Sequence, residues 1–209
     1  MKVGVLALQG AFIEHQNMLK GLNVQTTDVR LPEHLDTIDG LIIPGGESTT
    51  IGKLAEAYNL IAPIQTFAKN RPIWGTCAGM IFMAKIIDHP NQQILKLMDI
   101  HVKRNAFGRQ VDSFLRSLDI PALDSIPFPG VFIRAPAVVD CGPDVQIISR
   151  LSDGRIVAVK EKQWLATAFH PELTDDNRFH QFFLDMIAGN NVIDAIYIKE
   201  HDYEQRSNC

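Results

Sequence analysis

Residues 72–87 read PIWGTCAGMIFMAKII. Pro72–Trp74 suits a short strand, and Ala78–Ile87 reads as an apolar helix. Between them lies G-x-C-x-G, with Gly75 and Gly79 two residues either side of Cys77. A strand that runs through this pattern into a helix is a nucleophile elbow with cysteine in place of serine. The turn is sharp enough to crowd backbone against backbone, and the two glycines remove Cβ atoms there. Cys77 then projects at the carboxyl end of a strand, the ligand edge of an open α/β sheet. It also stands at a helix N-terminus, where the dipole and unpaired N–H groups favour a thiolate. A packing role competes with this reading, because free cysteine is among the most buried residue types.

The rest of the first half repeats the strand–helix alternation. Val3–Leu8 is a continuous apolar run, as in a buried parallel strand. Phe12–Leu22 carries apolar residues at helical spacing, Val24–Val29 reads as a strand, and Leu41–Ile43 is another, ended by Pro44-Gly45-Gly46. Ser48 is the expected N-cap of a helix through Tyr58, and Leu60–Lys69 is a further helix. Short links between these units predict a parallel sheet with helices on both faces. The second half predicts short β runs at Ile100–Val102, Gln110–Phe114, Val131–Ile133, Ala137–Val139, Val145–Ser149, Ile156–Lys160 and Leu165–Phe169. Ser152-Asp153-Gly154 marks a hairpin turn, and Phe179–Ala188 is a closing amphipathic helix. The expected organisation is one domain over residues 1–190 and a polar, frayed tail over 191–209.

Composition narrows the function classes. With 209 residues, 46% apolar and 21% charged, the chain has the makings of a closed core. A net charge of −4 gives no basic excess to attract nucleic acid. Its apolar stretches are too short to span a bilayer, and Glu14 and His15 follow the first one too closely for a signal peptide. Three irregularly spaced cysteines make no disulfide framework and predict a reducing, cytoplasmic setting.

A thiolate needs a base. Phe169-His170-Pro171-Glu172 follows the apolar run Leu165–Phe169, so His170 takes the same strand-end address as Cys77. Glu172, two residues on, turns back to the imidazole across the stiff Pro171, fixing its tautomer and stabilising the imidazolium. A surface histidine beside a helix-capping acid is the plain alternative, and a zinc site is weak because no further ligands accompany H-x-E. The third piece is Pro44-Gly45-Gly46-Glu47-Ser48-Thr49-Thr50 at another strand end. It lacks the Gly-Lys-Ser/Thr ending of a P-loop, and Glu47 would repel phosphate. A nest of backbone N–H groups for an oxyanion fits better, with Glu47 accepting from a substrate ammonium.

GTCAGM, FHPELT and PGGEST together resemble the class I (triad) glutamine amidotransferases. RNAFGRQVDSF (residues 104–114), GVFIRAP (130–136) and VLALQGA (5–11) are similar to the glutaminase subunits of pyridoxal 5'-phosphate synthase. The resemblance covers about residues 3–188. It implies a three-layer, flavodoxin-like α/β fold with a mostly parallel sheet, extended by antiparallel strands in the second half. It implies hydrolysis of L-glutamine to glutamate and ammonia, with Cys77 as nucleophile, His170 as base and acid, and Glu172 as orienter. Gly46 and the N–H of Ala78 would form the oxyanion hole. Gly46, Glu47, Ser48, Arg104, Ile133 and Arg134 would hold glutamine, an arginine being apt for the α-carboxylate. No metal or organic cofactor is expected. The implied partner is a (β/α)₈ synthase subunit in a large hetero-oligomer. It would receive ammonia through a tunnel, complete the oxyanion hole, and meet this chain around Gln9 and Gly10. Two other readings stay open: a stand-alone cysteine hydrolase or peptidase of related fold, and a catalytically silent regulatory subunit.

Overall fold

The structure, a computed structural model, describes residues 1–89, 91–108 and 113–190. In chain order the strands are β1 (Lys2–Leu6), β2 (Gln25–Val29), β3 (Gly40–Ile43), β4 (Ile73–Thr76), β5 (Ala84–Ile87), β6 (Met98–Lys103), β7 (Ser113–Leu118), β8 (Phe128–Ile133), β9 (Ala137–Cys141), β10 (Gln146–Arg150), β11 (Ile156–Glu161) and β12 (Trp164–Thr167). The helices are α1 (Phe12–Gly21), α2 (Ser48–Ala57), α3 (Ile61–Phe67), α4 (Ala78–Met83) and α5 (Arg178–Ile187).

The main sheet runs β2-β1-β3-β4-β12-β11-β9-β6-β5, with β10 added against β11. Its first five strands pair in parallel. β3 and β4 are buried at every position, as expected of strands covered on both faces. From β12 onward the pairing turns antiparallel through β11, β9 and β6, and β5 closes the sheet parallel to β6. The step from β1 to β2 runs to one edge, whereas the steps from β3 to β4 run to the other. Right-handed crossovers therefore place α1 on one face and α2–α3 on the opposite one. α5 joins α1: its Phe179, His180 and Phe183 rings pack on Trp74, and His180 meets His15 of α1. The sheet is thus mixed, mostly parallel, and sandwiched between helices. β7 and β8 form a separate antiparallel ribbon.

Two expected boundaries move. The helix read over Ala78–Ile87 stops at Met83, and Ala84–Ile87 becomes β5. All six residues of α4 are buried, so an apolar stripe cannot mark its end. The Phe82 and Met83 carbonyls accept from the N–H groups of Leu95 (2.7 Å) and Leu97 (3.0 Å), which satisfies the helix end and starts pairing with β6. Ser48 is the first helical residue of α2, and its cap is Glu47. That carboxylate accepts from the Thr49 N–H (3.1 Å) and the Thr50 N–H (2.7 Å). The Ser152-Asp153-Gly154 turn joins β10 to β11, with Gly154 at a φ of +87°. Of the strand read over Gln110–Phe114, residues 110–112 lie outside the described residues, as does the tail 191–209.

Candidate active site

Parallel pairing brings the carboxyl ends of β3, β4 and β12 to one edge of the sheet. Thr76 pairs with Thr167, and Ile43 with Gly75. Cys77, one residue beyond β4, has φ 48° and ψ −101°, a strained conformation for a non-glycine residue. Its N–H donates to the Thr167 carbonyl (2.8 Å), so the turn hangs on the neighbouring strand. The elbow leaves no room for side chains beside it. A Cβ at Gly79 would lie 2.1 Å from the Ile43 carbonyl oxygen, and one at Gly75 would lie 2.6 Å from the Gly79 backbone.

His170 follows β12 by three residues, and its N–H donates to the Val131 carbonyl of β8 (2.8 Å), so the ribbon pins it in place. Its Nδ1 meets Glu172 Oε1 at 2.7 Å. Cys77 stands next to the same ring and favours its charged form. Cys77, His170 and Glu172 are 7%, 6% and 5% exposed. Burial works against a charged His170, but the Cys77 and Glu172 contacts outweigh it and hold the imidazole up at about 10. Burial likewise pushes the Glu172 carboxyl up, and the His15 and His170 imidazoles overcome this and hold it below its ordinary value. The Cys77 sulfur also lies 3.8 Å from the Ile133 carbonyl oxygen.

The loop after β3 closes the third side. The Gly45 N–H donates to Thr76 Oγ1 (3.0 Å), and the Glu47 N–H donates to Gln9 Oε1 (2.7 Å). Between them the Gly46 N–H has no internal acceptor among the described residues. Ala78, first in α4, has no intrahelical acceptor for its N–H either. These are the two N–H groups expected of an oxyanion hole.

A cavity of about 370 Å³ opens over Cys77 and His170. Gly46, Glu47, Ser48, Arg104, Ile133 and Arg134, the six residues expected to hold substrate, all line it, as do Ala78 and Gly10. Gln9 lies behind the loop, on Glu47. The Glu47 carboxylate is already committed: besides the two helix N–H groups it accepts from the Thr49 and Thr50 hydroxyls and from Arg104 Nη2 (3.3 Å). Burial pushes this carboxyl up, and the hydroxyl and N–H donors of Thr49 and Thr50 together outweigh it and hold it at about 2. Arg104 also donates to Gln92 Oε1 (3.2 Å), which uses two of its five N–H donors on the protein.

The chain belongs to the SNO glutamine amidotransferase family. The family's pattern matches residues 5–189. The pyridoxal 5'-phosphate synthase subunit PdxT of Herpetosiphon aurantiacus is 58% identical over 190 residues, covering 89% of this chain and 100% of that protein. The protein of the same name from Carboxydothermus hydrogenoformans is 50% identical over 189 residues, 90% of this chain and 98% of its own. A solved crystal structure of a glutamine amidotransferase superposes with a TM-score of 0.85 at 46% identity, over 89% of this chain and 98% of that one.

Sequence reasoning passed over three side chains behind Glu172: His15, His180 and Thr76. Each of the three is fully buried. The available signal was positional. His15 stands four residues before buried Leu19 on the inward stripe of α1, and His180 sits among Phe179, Phe182 and Phe183 on that of α5.

Proposed function

We propose that Cys77, His170 and Glu172 hydrolyse L-glutamine within this cavity. The observation that carries the reading is Cys77 on a strained elbow against the His170–Glu172 pair, at the ends of neighbouring parallel strands. The chain is the glutaminase subunit of a pyridoxal 5'-phosphate synthase, and it therefore works with a synthase partner.

The raised basicity of His170 favours transfer of the Cys77 thiol proton to its Nε2, leaving a thiolate beside an imidazolium. The sulfur attacks the side-chain amide carbon, and the Gly46 and Ala78 N–H groups receive the oxyanion. The imidazolium gives its proton to the leaving nitrogen, ammonia departs, and a γ-glutamyl thioester remains. Water, deprotonated by His170, adds to the thioester. Glutamate leaves as the Cys77 sulfur recovers its proton. Gly46, Ser48, Ile133, Arg134 and the Glu47 backbone hold glutamine, and Arg104 meets its α-carboxylate with the donors not spent on Glu47 and Gln92. Because its carboxylate caps α2, Glu47 positions Arg104 rather than receiving the substrate ammonium.

Ammonia protonated in bulk water loses its nucleophilicity, so it passes directly to a (β/α)₈ synthase subunit, which docks around Gln9 and Gly10 in a large hetero-oligomer. The catalytic unit is one domain, residues 1–190, acting in the cytoplasm without metal or organic cofactor. Among the described residues no helix is long and apolar enough to cross a membrane.

The test is glutamate release with and without the synthase, beside pyridoxal phosphate synthesis from glutamine or from ammonium. Cys77→Ala is expected to abolish the glutamine-dependent reaction, by on the order of 10⁴-fold or more, and to spare the ammonium-dependent one. Unchanged glutamine-dependent synthesis in that variant would defeat the catalytic assignment.

A further inference from the structure

The reaction uses one oxygen of Glu172. The other, Oε2, is buried with no hydrogen bond of good geometry, and it faces His15 Nε2 at 3.4 Å. The same Nε2 lies 3.2 Å from Thr76 Oγ1, and His15 Nδ1 lies 3.0 Å from His180 Nε2. His180 Nδ1 is buried without a partner among the described residues. Trp74 holds both rings edge-on, with centroids 5.5 Å from His15 and 5.0 Å from His180.

These contacts assign the protons. A carboxylate only accepts, so the N–H of His15 belongs on Nε2; a bare Nε2 would set lone pair against lone pair. His15 Nδ1 is then an acceptor, and His180 Nε2 must donate to it. That leaves a bare acceptor at His180 Nδ1, where the opposite chain would bury an orphaned N–H donor. Burial disfavours a charge on either ring, and both are held below their ordinary value.

We propose that His15 is a positioning residue for glutamine hydrolysis: its Nε2–H, backed by the His180 donor, holds the second oxygen of Glu172 and fixes the carboxylate plane against His170. The proposal rests on the reading of Glu172 as the partner of His170. A buried carboxylate held at one oxygen is free to swing about that contact. Held at both, it presents Oε1 to Nδ1 throughout the proton transfers. A neutral donor suits this task, because an imidazolium at His15 would compete with His170 for the carboxylate's charge. Thr76 extends the unit, since its Oγ1 takes both this contact and the Gly45 N–H of the oxyanion loop.

The test uses the assembled synthase, with rates normalised to titrated Cys77. The ionisable groups in play are Cys77, His170 and Glu172, with His15 and Glu14 on α1 and His180 on α5. His15→Leu is expected to lower kcat about ten- to a hundredfold, a fraction of what a general base supplies, with KM for glutamine within about twofold. The basic limb of kcat/KM should move to lower pH, because a loose Glu172 supports the His170 charge less. His15→Gln, which restores an N–H donor, should recover most of both. Unchanged kcat and limb in His15→Leu, or a glutamine variant as impaired as the leucine one, would overturn the proposal. Glu172→Gln run alongside separates the two readings: if it is impaired and His15→Leu is not, only the role of His15 falls, and if it is active the triad falls. Should His15→Leu not assemble, imidazole nitrogen shifts of the full wild-type chain decide. Nε2–H with bare Nδ1 supports the proposal, and Nδ1–H or a doubly protonated ring ends it.

Discussion

Two histidines meet the same carboxylate from opposite sides. His170 touches Oε1 and faces the cavity, whereas His15 faces Oε2 and is wholly enclosed. Their protonation goes opposite ways: His170 is held up at about 10, and His15 is held below its ordinary value. The difference lies in what stands behind each ring. His170 has Cys77 beside it, which favours the charge along with Glu172. At His15 the Glu172 and Glu14 carboxylates are outweighed by complete burial, which the His170 charge reinforces, with a neutral His180 behind the ring. A carboxylate alone does not decide the state of an imidazole; the second neighbour and the dielectric do.

Glu172→Gln breaks the comparison hardest, because it removes what the two rings share. A glutamine side chain has one acceptor oxygen, so it satisfies either the His170 Nδ1–H or the His15 Nε2–H and turns an NH₂ toward the other. Glutamine hydrolysis is expected to fall on the order of 10²- to 10⁴-fold. Titration of the imidazole resonances should show His170 dropping from about 10 and His15 staying neutral. A His170 that still titrated near 10 would mean that Cys77 alone sets its state.

Only one side of that comparison was legible in the sequence. Cys77, His170 and Glu172 announce themselves locally, through G-x-C-x-G and H-P-E at strand ends, and parallel alternation forces those ends to one edge. The first four strands and their order of appearance follow from the same alternation. His15 and His180 are 165 positions apart, and each interrupts an apolar helical stripe like an ordinary polar lapse. No local pattern says that two such lapses face each other behind a third residue. The end of α4 was hidden for a related reason: MIFMAKII is apolar enough for helix or strand, and pairing with Met98–Val102 decides. The cap of α2 stands one residue before the expected Ser48, because serine is the commoner capping residue and only the folded loop turns the Glu47 carboxylate back onto the Thr49 and Thr50 N–H groups.

A middle-sized effect is the pH dependence of stability of the chain alone. His170, with its folded value raised from 6.5 to about 10, contributes stability that is complete below pH 6.5 and lost as pH rises toward 10. His15 and His180, with folded values lowered, contribute in the opposite sense: their stability is present above 6.5 and lost as pH falls below it. Glu172, also lowered, adds to the acid loss below about 4.5. Melting temperature should therefore peak near pH 6.5 and fall on both sides. His170→Asn should flatten the alkaline fall, and it should also soften the part of the acid fall below about 4.5, because Glu172 loses one of the partners that lower it. A melting temperature that keeps rising from pH 6.5 to 9 would contradict the raised imidazole.

The smallest effect is expected from His180→Phe, and its smallness is informative. The substitution removes the donor to His15 Nδ1 and, with it, the orphaned His180 Nδ1, exchanging one unpartnered buried nitrogen for another. The new ring packs among Trp74, Phe179 and Phe183, so stability at neutral pH should change by less than about 1 kcal/mol, a shift of about 2–4 °C or less. Because Glu172 alone suffices to keep the His15 proton on Nε2, kcat should stay within about threefold, far from the loss expected for His15→Leu. Below pH 6.5 the variant should lose stability less steeply than the wild type, since one buried neutral histidine no longer has to take up a proton on unfolding. If instead His180→Phe lowered kcat as far as His15→Leu, the His15 tautomer would be set from the α5 side and not by the carboxylate. The two rings on Glu172 would then differ by their helical neighbours alone.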